Sequence, residues 1–563
     1  MTTSADAATV LRSLADEYWE HQLEDQPLLA SYLGDHRYDD RAGDVSAAAE
    51  QARRDRWIAL RTRVDAVPTD DLEPTDRDTH ELLRGELDQA VRVIDLRLTE
   101  LASDQMQGVH ADLLMTAGQL RAPEPEHARM AVDRIHAMAE LLDQAAARYR
   151  DGAAAGRTPA LINVTRSRHQ VESYLASPLE SDPFVHLAGP EGWDGEPAWR
   201  AELTDAVRDV LRPAFARYRD VFADELEPVA RPDDRAGLAH LADGEEIYRA
   251  LIELHTGLPL TADELHEIGL EQATRTIRQE FAEVGQRAFG TSDVRAVFDR
   301  LLSDPALRYH DGEEIIAHAR RCLDLARDTM ADWFGLLPQA PCVLSPVPGY
   351  LEADVPPAYY MPPAPDGSRP GEYFVNLHEP TERGRYNTAS IAFHEAIPGH
   401  HLQLAIATER TDLPDFRRVG LGHTAFVEGW ALYTERLADE MGMYVDDLDR
   451  LGMLASDAWR ACRLVVDTGL HSRGWTRQQA IDFMVEHMPV DLDTITVEVD
   501  RYIGMPGQAL AYKVGQREIL QLRDQARQQL GDTFDVKGFH DAVLGGATIS
   551  LPVLRRRVAE WMA

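Results

Sequence analysis

The stretch Val207–Phe222, VRDVLRPAFARYRDVF, sets apolar side chains at Val207, Leu211, Phe215, Tyr218 and Phe222, three or four residues apart. That spacing returns to one face of a helix at every turn, so the segment reads as an amphipathic helix with one buried stripe. The same period runs outward in both directions, through Leu11, Leu14 and Tyr18 near the start and through Leu265, Ile268, Phe281 and Val284 further on. The fold is therefore expected to be mostly α. Pro213 removes a backbone donor inside the stripe and predicts a kink or break there. Thr261 with Glu264, and Thr476 with Gln479, have the capping-box spacing that marks a helix start.

Two stretches interrupt the helical pattern. Residues 178–198, PLESDPFVHLAGPEGWDGEPA, are rich in Pro, Gly and acid and read as a loop or boundary. They divide an N-terminal helical part, 1–180, from a second part, 199–563, unless 1–563 is one continuous domain. From Pro338 to Pro370 the chain carries ten prolines, then GEYFVNL at 371–377 alternates like an edge strand or half of a hairpin. A small β-hairpin or short sheet is thus expected before the helix that follows. No internal repeat interrupts the 563 residues.

Composition narrows the function. The chain is 44% apolar and 27% charged, with 58 Lys and Arg against 96 Asp and Glu, a net charge of −38. Phosphate would be repelled over most of such a surface, which argues against nucleic acid and anionic membranes as partners. Lys513 and Lys537 are the only lysines, a bias toward Arg that fits GC-rich coding. Cys322, Cys342 and Cys462 are odd in number and far apart, which disfavours a disulfide framework or a cysteine metal site. The N-terminus has neither a basic n-region nor an apolar h-region, and no run of about 18 uncharged apolar residues occurs. A cytoplasmic protein is expected.

The chemistry concentrates in FHEAIPGHH, Phe393–His401, and in VEGW, Val427–Trp430. A hydrolytic zinc site needs imidazoles and usually a carboxylate on the ion, an open position, and a second carboxylate to take a proton. His394 and Glu395 offer a ligand with a neighbouring general base, and Glu428, 34 residues after His394, offers a carboxylate ligand. It sits in the otherwise apolar AFVEGWALY, where an unpaired carboxylate would be costly. Glu435, two turns later, reads as a charge outside the ligand set or at the surface. The second histidine is open between His400 and His401. In a regular helix position 398, about 40° round from His394, would carry it, but Pro398 stands there. His400 would lie at about 240° and His401 at about −20°, roughly 10.5 Å along the axis. Pro398-Gly399 predicts that the helix breaks and returns one of the two toward His394; the facing argument leans to His401.

HEAIPGHHLQ, EGWALYTERL, RACRLVVDTGLH and RYIGMPGQALAYKVG resemble the bacterial family known as domain of unknown function 885, with its HExxPGHH signature. The likeness runs from PLLASYLGDHRYDD to FHDAVLGGATISLPVLRRRV. It implies a thermolysin-like, glutamate-liganded zinc peptidase (a gluzincin), similar in architecture to angiotensin-converting enzyme, thimet oligopeptidase and the Taq-type carboxypeptidase. A two-lobed helical body with a deep central cleft follows from that likeness. So does one Zn2+ per chain on His394, His400 or His401, and Glu428, with Glu395 as general base. The extra residues between the histidines depart from the HExxH of those relatives. Their Tyr and His oxyanion donors point to His471, Tyr502 and Tyr512 here.

Further candidates face the substrate. Gln508, beside the Pro506-Gly507 turn, is placed to reach it, and Arg463, like Arg460 on the same helical face as Asp467 and His471, is read as a substrate-carboxylate holder or, preferably, as an ion-pair partner of Asp467. Asn376 on the 371–377 strand is expected to bind peptide backbone by β-augmentation, with Tyr359, Tyr360 and Arg369 as pocket-lining candidates. The reading is a zinc metallopeptidase cleaving short peptides. Its rivals are a zinc amidase or esterase acting on a small metabolite, and a non-catalytic binding protein with a degenerate metal site.

Overall fold

The structure, a computed structural model, describes residues 4–349, 352, 356–365, 367, 369–420 and 422–563. Helices dominate, joined by one small sheet, as the apolar period requires. The chain forms two compact units: Met1–Ile247 with Leu470–Gln478 and Asp500–Met505, and the remainder.

In the first unit, helices Pro125–Ala154 and Leu161–Ala176 share a core with the Val207–Phe222 stripe, whose five apolar side chains are fully buried. The regular α ladder is interrupted just before the proline. Helix Glu196–Ala206 widens into a π turn over Val207–Leu211, and a new helix starts at Arg212 with Pro213 in its first turn, where a missing N–H is harmless. The 178–198 stretch lies within this unit, and its Phe184 is buried in the same core.

The second unit carries the candidate chemistry. Helix α1 (Gly312–Trp333) precedes strands β1 (Cys342–Pro346), β2 (Ala358–Met361) and β3 (Gly371–Val375). The sheet order is β1-β3-β2, with β3 parallel to β1 and antiparallel to β2, so that Tyr373 pairs with Leu344 on one side and Tyr360 on the other. Of the two expectations for this segment the hairpin holds, since β2 and β3 pair antiparallel, and the edge position does not, since β3 lies between β1 and β2. The Pro-rich stretch supplies two short strands that cover both edges of β3, so an added peptide strand could not pair with β3 itself. Positions 350–351, 353–355, 366 and 368 of that stretch lie outside the described residues.

After the sheet come α2 (Asn387–Glu395), α3 (His400–Glu409), α4 (Thr424–Glu440), α5 (Asp447–His471) and α6 (Ala511–Leu530). Helices α4 and α6 touch backbone to backbone. A Cβ at Gly429 would lie 2.4 Å from Gly515 Cα, and one at Gly515 would lie 1.7 Å from the Ala425 carbonyl oxygen, so both positions demand glycine. That contact fixes the height of α4, and with it Glu428. Elsewhere, the Thr261–Glu264 capping box forms in full, and helix Arg477–His487 starts immediately after Thr476. Among the described residues no helix is long and apolar enough to cross a membrane.

Candidate metal centre

Between α2 and α3 the backbone leaves the helix. Ala396 sits at φ −100°, ψ −110° and Gly399 at φ −77°, ψ −128°. A Cβ at Gly399 would lie 1.9 Å from the His394 carbonyl oxygen, so only glycine folds back this tightly. Trp430, on α4, donates its indole N–H to the Pro398 carbonyl at 3.0 Å and holds the turn.

The turn brings His400, first residue of α3, against His394, near the end of α2. Their rings are 4.9 Å apart and nearly perpendicular, at 87°. Nε2 of His394 and Nε2 of His400 stand 3.6 Å and 3.5 Å from the same atom, Glu428 Oε2. One donor atom from each of the three residues lies within 4.8 Å of the others. His401 does not join them, contrary to the facing argument. Its Nε2 donates to the Ala340 carbonyl at 3.1 Å and its Nδ1 accepts from the Tyr360 hydroxyl at 2.9 Å, while burial pushes its pKa down to about 4. Helical angles do not carry across a broken helix, so the residue predicted on the far side is the one that returns.

Electrostatics tighten the cluster. Burial opposes a charge on His394, yet Glu428 and Glu435 outweigh it and raise the imidazolium to about 9. Against the same burial, the two imidazoles hold Glu428 well below the usual carboxylate range. Glu395 behaves oppositely: burial dominates and raises it, moderated by the charges of His394 and His400. The field of Glu395 also reaches Tyr373 at the centre of β3.

The remaining candidates are dispersed. Asn376 is buried and pins its own loop, donating to the Glu352 carbonyl at 2.7 Å and accepting from the His378 N–H at 2.9 Å, which corrects its reading as a substrate contact. Arg463 donates to Glu498 at 2.9 Å and covers the half-buried Tyr512 ring at 4.5 Å. Asp467 accepts from the Tyr248 hydroxyl at 2.6 Å and the Gly507 N–H at 3.0 Å. Gln508 opens a short turn, Gln508–Leu510, behind Gly507, whose φ of +86° suits glycine. His471 and Tyr502 belong to the first unit. There His471 accepts from the Leu238 N–H at 3.1 Å and donates to the Tyr502 carbonyl at 3.0 Å, so both ring nitrogens are spent on structure, contrary to an oxyanion role.

The family described as bacterial protein of unknown function (DUF885) matches residues 27–558. The chain belongs to that family. Among solved structures, this DUF885 protein is similar to one from Colwellia psychrerythraea, with a TM-score of 0.92, 26% identity and 99% of each chain covered. It also shares its fold with one from Shewanella oneidensis, with a TM-score of 0.77, 19% identity, and coverage of 97% of this chain and 99% of that one. Both are described by the words "putative lipoprotein", the second with unknown function. No protein of curated function matches.

Around the centre, Glu435 takes the first of its two expected places, outside the ligand set and not at the surface, Tyr360 has a different partner from the expected substrate, and Ser390 was not singled out in the sequence. Glu435 is buried and accepts the Nδ1 proton of His394 at 2.8 Å; the hydroxyl of Ser390 donates to its other oxygen at 2.5 Å. Tyr360 holds His401 aside. For Glu435 a signal existed: seven residues after Glu428 in an apolar run, it lies about −20° round the helix, on the same face.

Proposed function

We propose that this DUF885 protein is a zinc-dependent hydrolase, and specifically a metallopeptidase acting on short peptides, with one zinc on His394, His400 and Glu428. The observation that carries the reading is the state of His400. Its Nδ1 is buried with no partner, and its Nε2 stands 3.5 Å from Glu428, beyond hydrogen-bonding geometry. Nε2 thus faces a carboxylate across a gap too long for a good hydrogen bond, and a cation between the two would bridge it. The separations fit, since ligands about 2.0–2.1 Å from a tetrahedral zinc are about 3.4 Å from one another. Two imidazoles, one carboxylate and an adjacent second carboxylate form the donor set of a catalytic rather than a structural site.

A bound zinc ion would supply Lewis acidity toward a carbonyl and a water. Glu395 would take the proton of the attacking water and return it to the leaving amine, a role suited to a carboxylate whose proton affinity burial has raised. Glu435 would keep His394 oriented. We place the protein in a reducing compartment, the cytoplasm, because Cys322, Cys342 and Cys462 are buried free thiols. Recovery in the membrane fraction would instead ally it with the neighbours described as lipoproteins.

Elemental mass spectrometry on untagged protein, followed by a peptide library, tests the reading. About one zinc per chain and peptide cleavage reduced about 100-fold or more in Glu395→Gln, with zinc retained, are expected. Protein that binds no zinc, or that hydrolyses nothing when fully loaded, overturns it. Cleavage of acylated metabolites but not of peptides would select the amidase or esterase alternative.

A further inference from the structure

A cavity of about 640 Å3 opens among the N-terminal helices of the first unit. Its walls are helix faces, as the spacing of the lining residues shows. Helix Ala47–Asp65 contributes Glu50, Arg53 and Trp57, and helix Val109–Ala117 contributes Val109, Asp112 and Thr116. Steps of three and four residues return to one side of a helix, so each helix turns one face to the cavity. Val93 and Ile94 join Val109 in the lining, and all three are only half-buried, which leaves apolar surface for an occupant. The volume falls within the range of about 300–1,000 Å3 typical of small-molecule sites.

Most charges on these walls are already spent. Asp25 pairs with Arg56, Glu50 pairs with Arg148 at 2.6 Å, and the Asp44 carboxylate accepts from the Ser46 N–H at 2.9 Å. Two charges are not. Among the described residues Asp112 has no ion pair and no side-chain hydrogen bond. It is exposed, yet loss of hydration inside the concavity raises its carboxyl from the usual range. Arg53 spends one guanidinium nitrogen on the Asp44 carbonyl, at 2.6 Å, and among the described residues it has no carboxylate partner. Both line the same space and they do not pair with each other. An ammonium complements the first, a carboxylate the second, and an apolar body the walls.

We propose that this cavity is a ligand site of its own and that it takes a zwitterion with an apolar body, namely an apolar amino acid or a di- or tripeptide with both termini free. The ammonium pairs with Asp112, the carboxylate with Arg53, and the side chains lie on Val93, Ile94 and Val109. The site does not rest on the hydrolase reading, since its residues all belong to the first unit and the candidate metal ligands to the second.

Calorimetry on the full-length, metal-free chain tests it. The probes are leucine and leucyl-leucine, each compared with its N-acetyl form, its C-terminal amide and its serine counterpart. At least one parent should bind with a Kd below about 1 mM, and loss of the ammonium, the carboxylate or the apolar side chains should each weaken binding about 10-fold or more. Asp112→Asn should weaken the parent by a similar factor and make N-acetylation cost nothing further; Arg53→Gln should do the same for amidation. Asp112→Asn removes no hydrogen bond of the fold, so it decides the matter even if Arg53→Gln, which frees the Asp44 carbonyl, unfolds the segment. His400→Ala, which removes a candidate metal ligand, should leave the affinities unchanged. No binding of either parent up to about 10 mM, equal binding of the acetylated, amidated or serine forms, or affinity indifferent to Asp112→Asn overturns the proposal. Binding lost in His400→Ala instead would assign the ligand to the metal centre and overturn it as well. None of these outcomes depends on zinc content or cleavage, so the hydrolase reading stands or falls separately.

Discussion

Glu435 accepts the Nδ1 proton of His394 at 2.8 Å from a point two helical turns beyond Glu428 on the same helix. When the ring is neutral, its lone pair is then on Nε2, the nitrogen that faces Glu428. Glu435 is itself held, by the Ser390 hydroxyl at its carboxylate and by the Tyr444 hydroxyl at its carbonyl, 2.9 Å away. Substituting Glu435→Gln should therefore weaken zinc binding about 10- to 100-fold while the fold persists. Competition against a chelator of known affinity measures this, and an unchanged affinity would remove Glu435 from the centre.

The two adjacent histidines should separate cleanly. His394→Ala, His400→Ala and Glu428→Ala should each lose bound zinc by elemental analysis. His401→Ala should retain it, yet lose about 2 kcal/mol of stability, because the Tyr360 hydroxyl and the Ala340 carbonyl lose their partner. Zinc loss in His401→Ala at full stability would contradict the assignment.

Two glycines should respond in opposite directions. Gly429→Ala forces a methyl into the Gly515 backbone, so it should cost at least about 1–3 kcal/mol and shift Glu428 enough to lower zinc affinity. Gly85 lies inside helix Pro74–Asp95, and a Cβ there meets nothing within 4 Å. Gly85→Ala should stabilise by about 0.5–1 kcal/mol. Denaturant titration of both variants checks the pair.

Acid should weaken the fold over a defined window. His110, His471 and His540 are buried, and burial pushes each to about 4. A histidine kept neutral in the folded state binds its proton sooner when unfolded. Its contribution is thus complete above the unfolded value of about 6.5 and is lost as pH falls toward 4, by up to about 3 kcal/mol for each group. Asp104 and Asp449, raised to about 6 chiefly by burial, work in the other direction over the same range, but His255, His318 and His401 are also pushed down to about 4, so the histidines outnumber them. The thermal midpoint of metal-free protein should fall between pH 6.5 and 4, and should also decline from pH 6.5 toward 9 as the His394 imidazolium, raised to about 9 by Glu428 and Glu435, loses its proton. A midpoint that rises on acidification below about pH 6.5 would contradict this.

Much of the architecture was legible. The stripe from Val207 to Phe222 and the Thr261–Glu264 cap are local patterns, and local patterns survive folding. Glu428 was legible because a carboxylate inside AFVEGWALY needs a reason. The choice between His400 and His401 was not, because angular reasoning assumes an unbroken helix and four backbone residues, Ala396–Gly399, depart from one. β3 and its hairpin pairing were legible, but its central place was not, since β1 and β2 are short and hidden among prolines. Asn376 and His471 were chosen for their chemical type, and both turned out to be consumed by neighbouring backbone groups that no spacing rule reveals.

Helix α4 holds the centre at three points: Glu428 faces both imidazoles, Trp430 grips the Pro398 carbonyl, and Glu435 anchors His394. All three lie downstream of the histidines they organise. On a ribosome, His394 and His400 emerge first and remain two loose imidazoles until α4 has been synthesised and docked. For the zinc site proposed above, capture of the ion would then be a late event in the life of the chain, following the packing of α4.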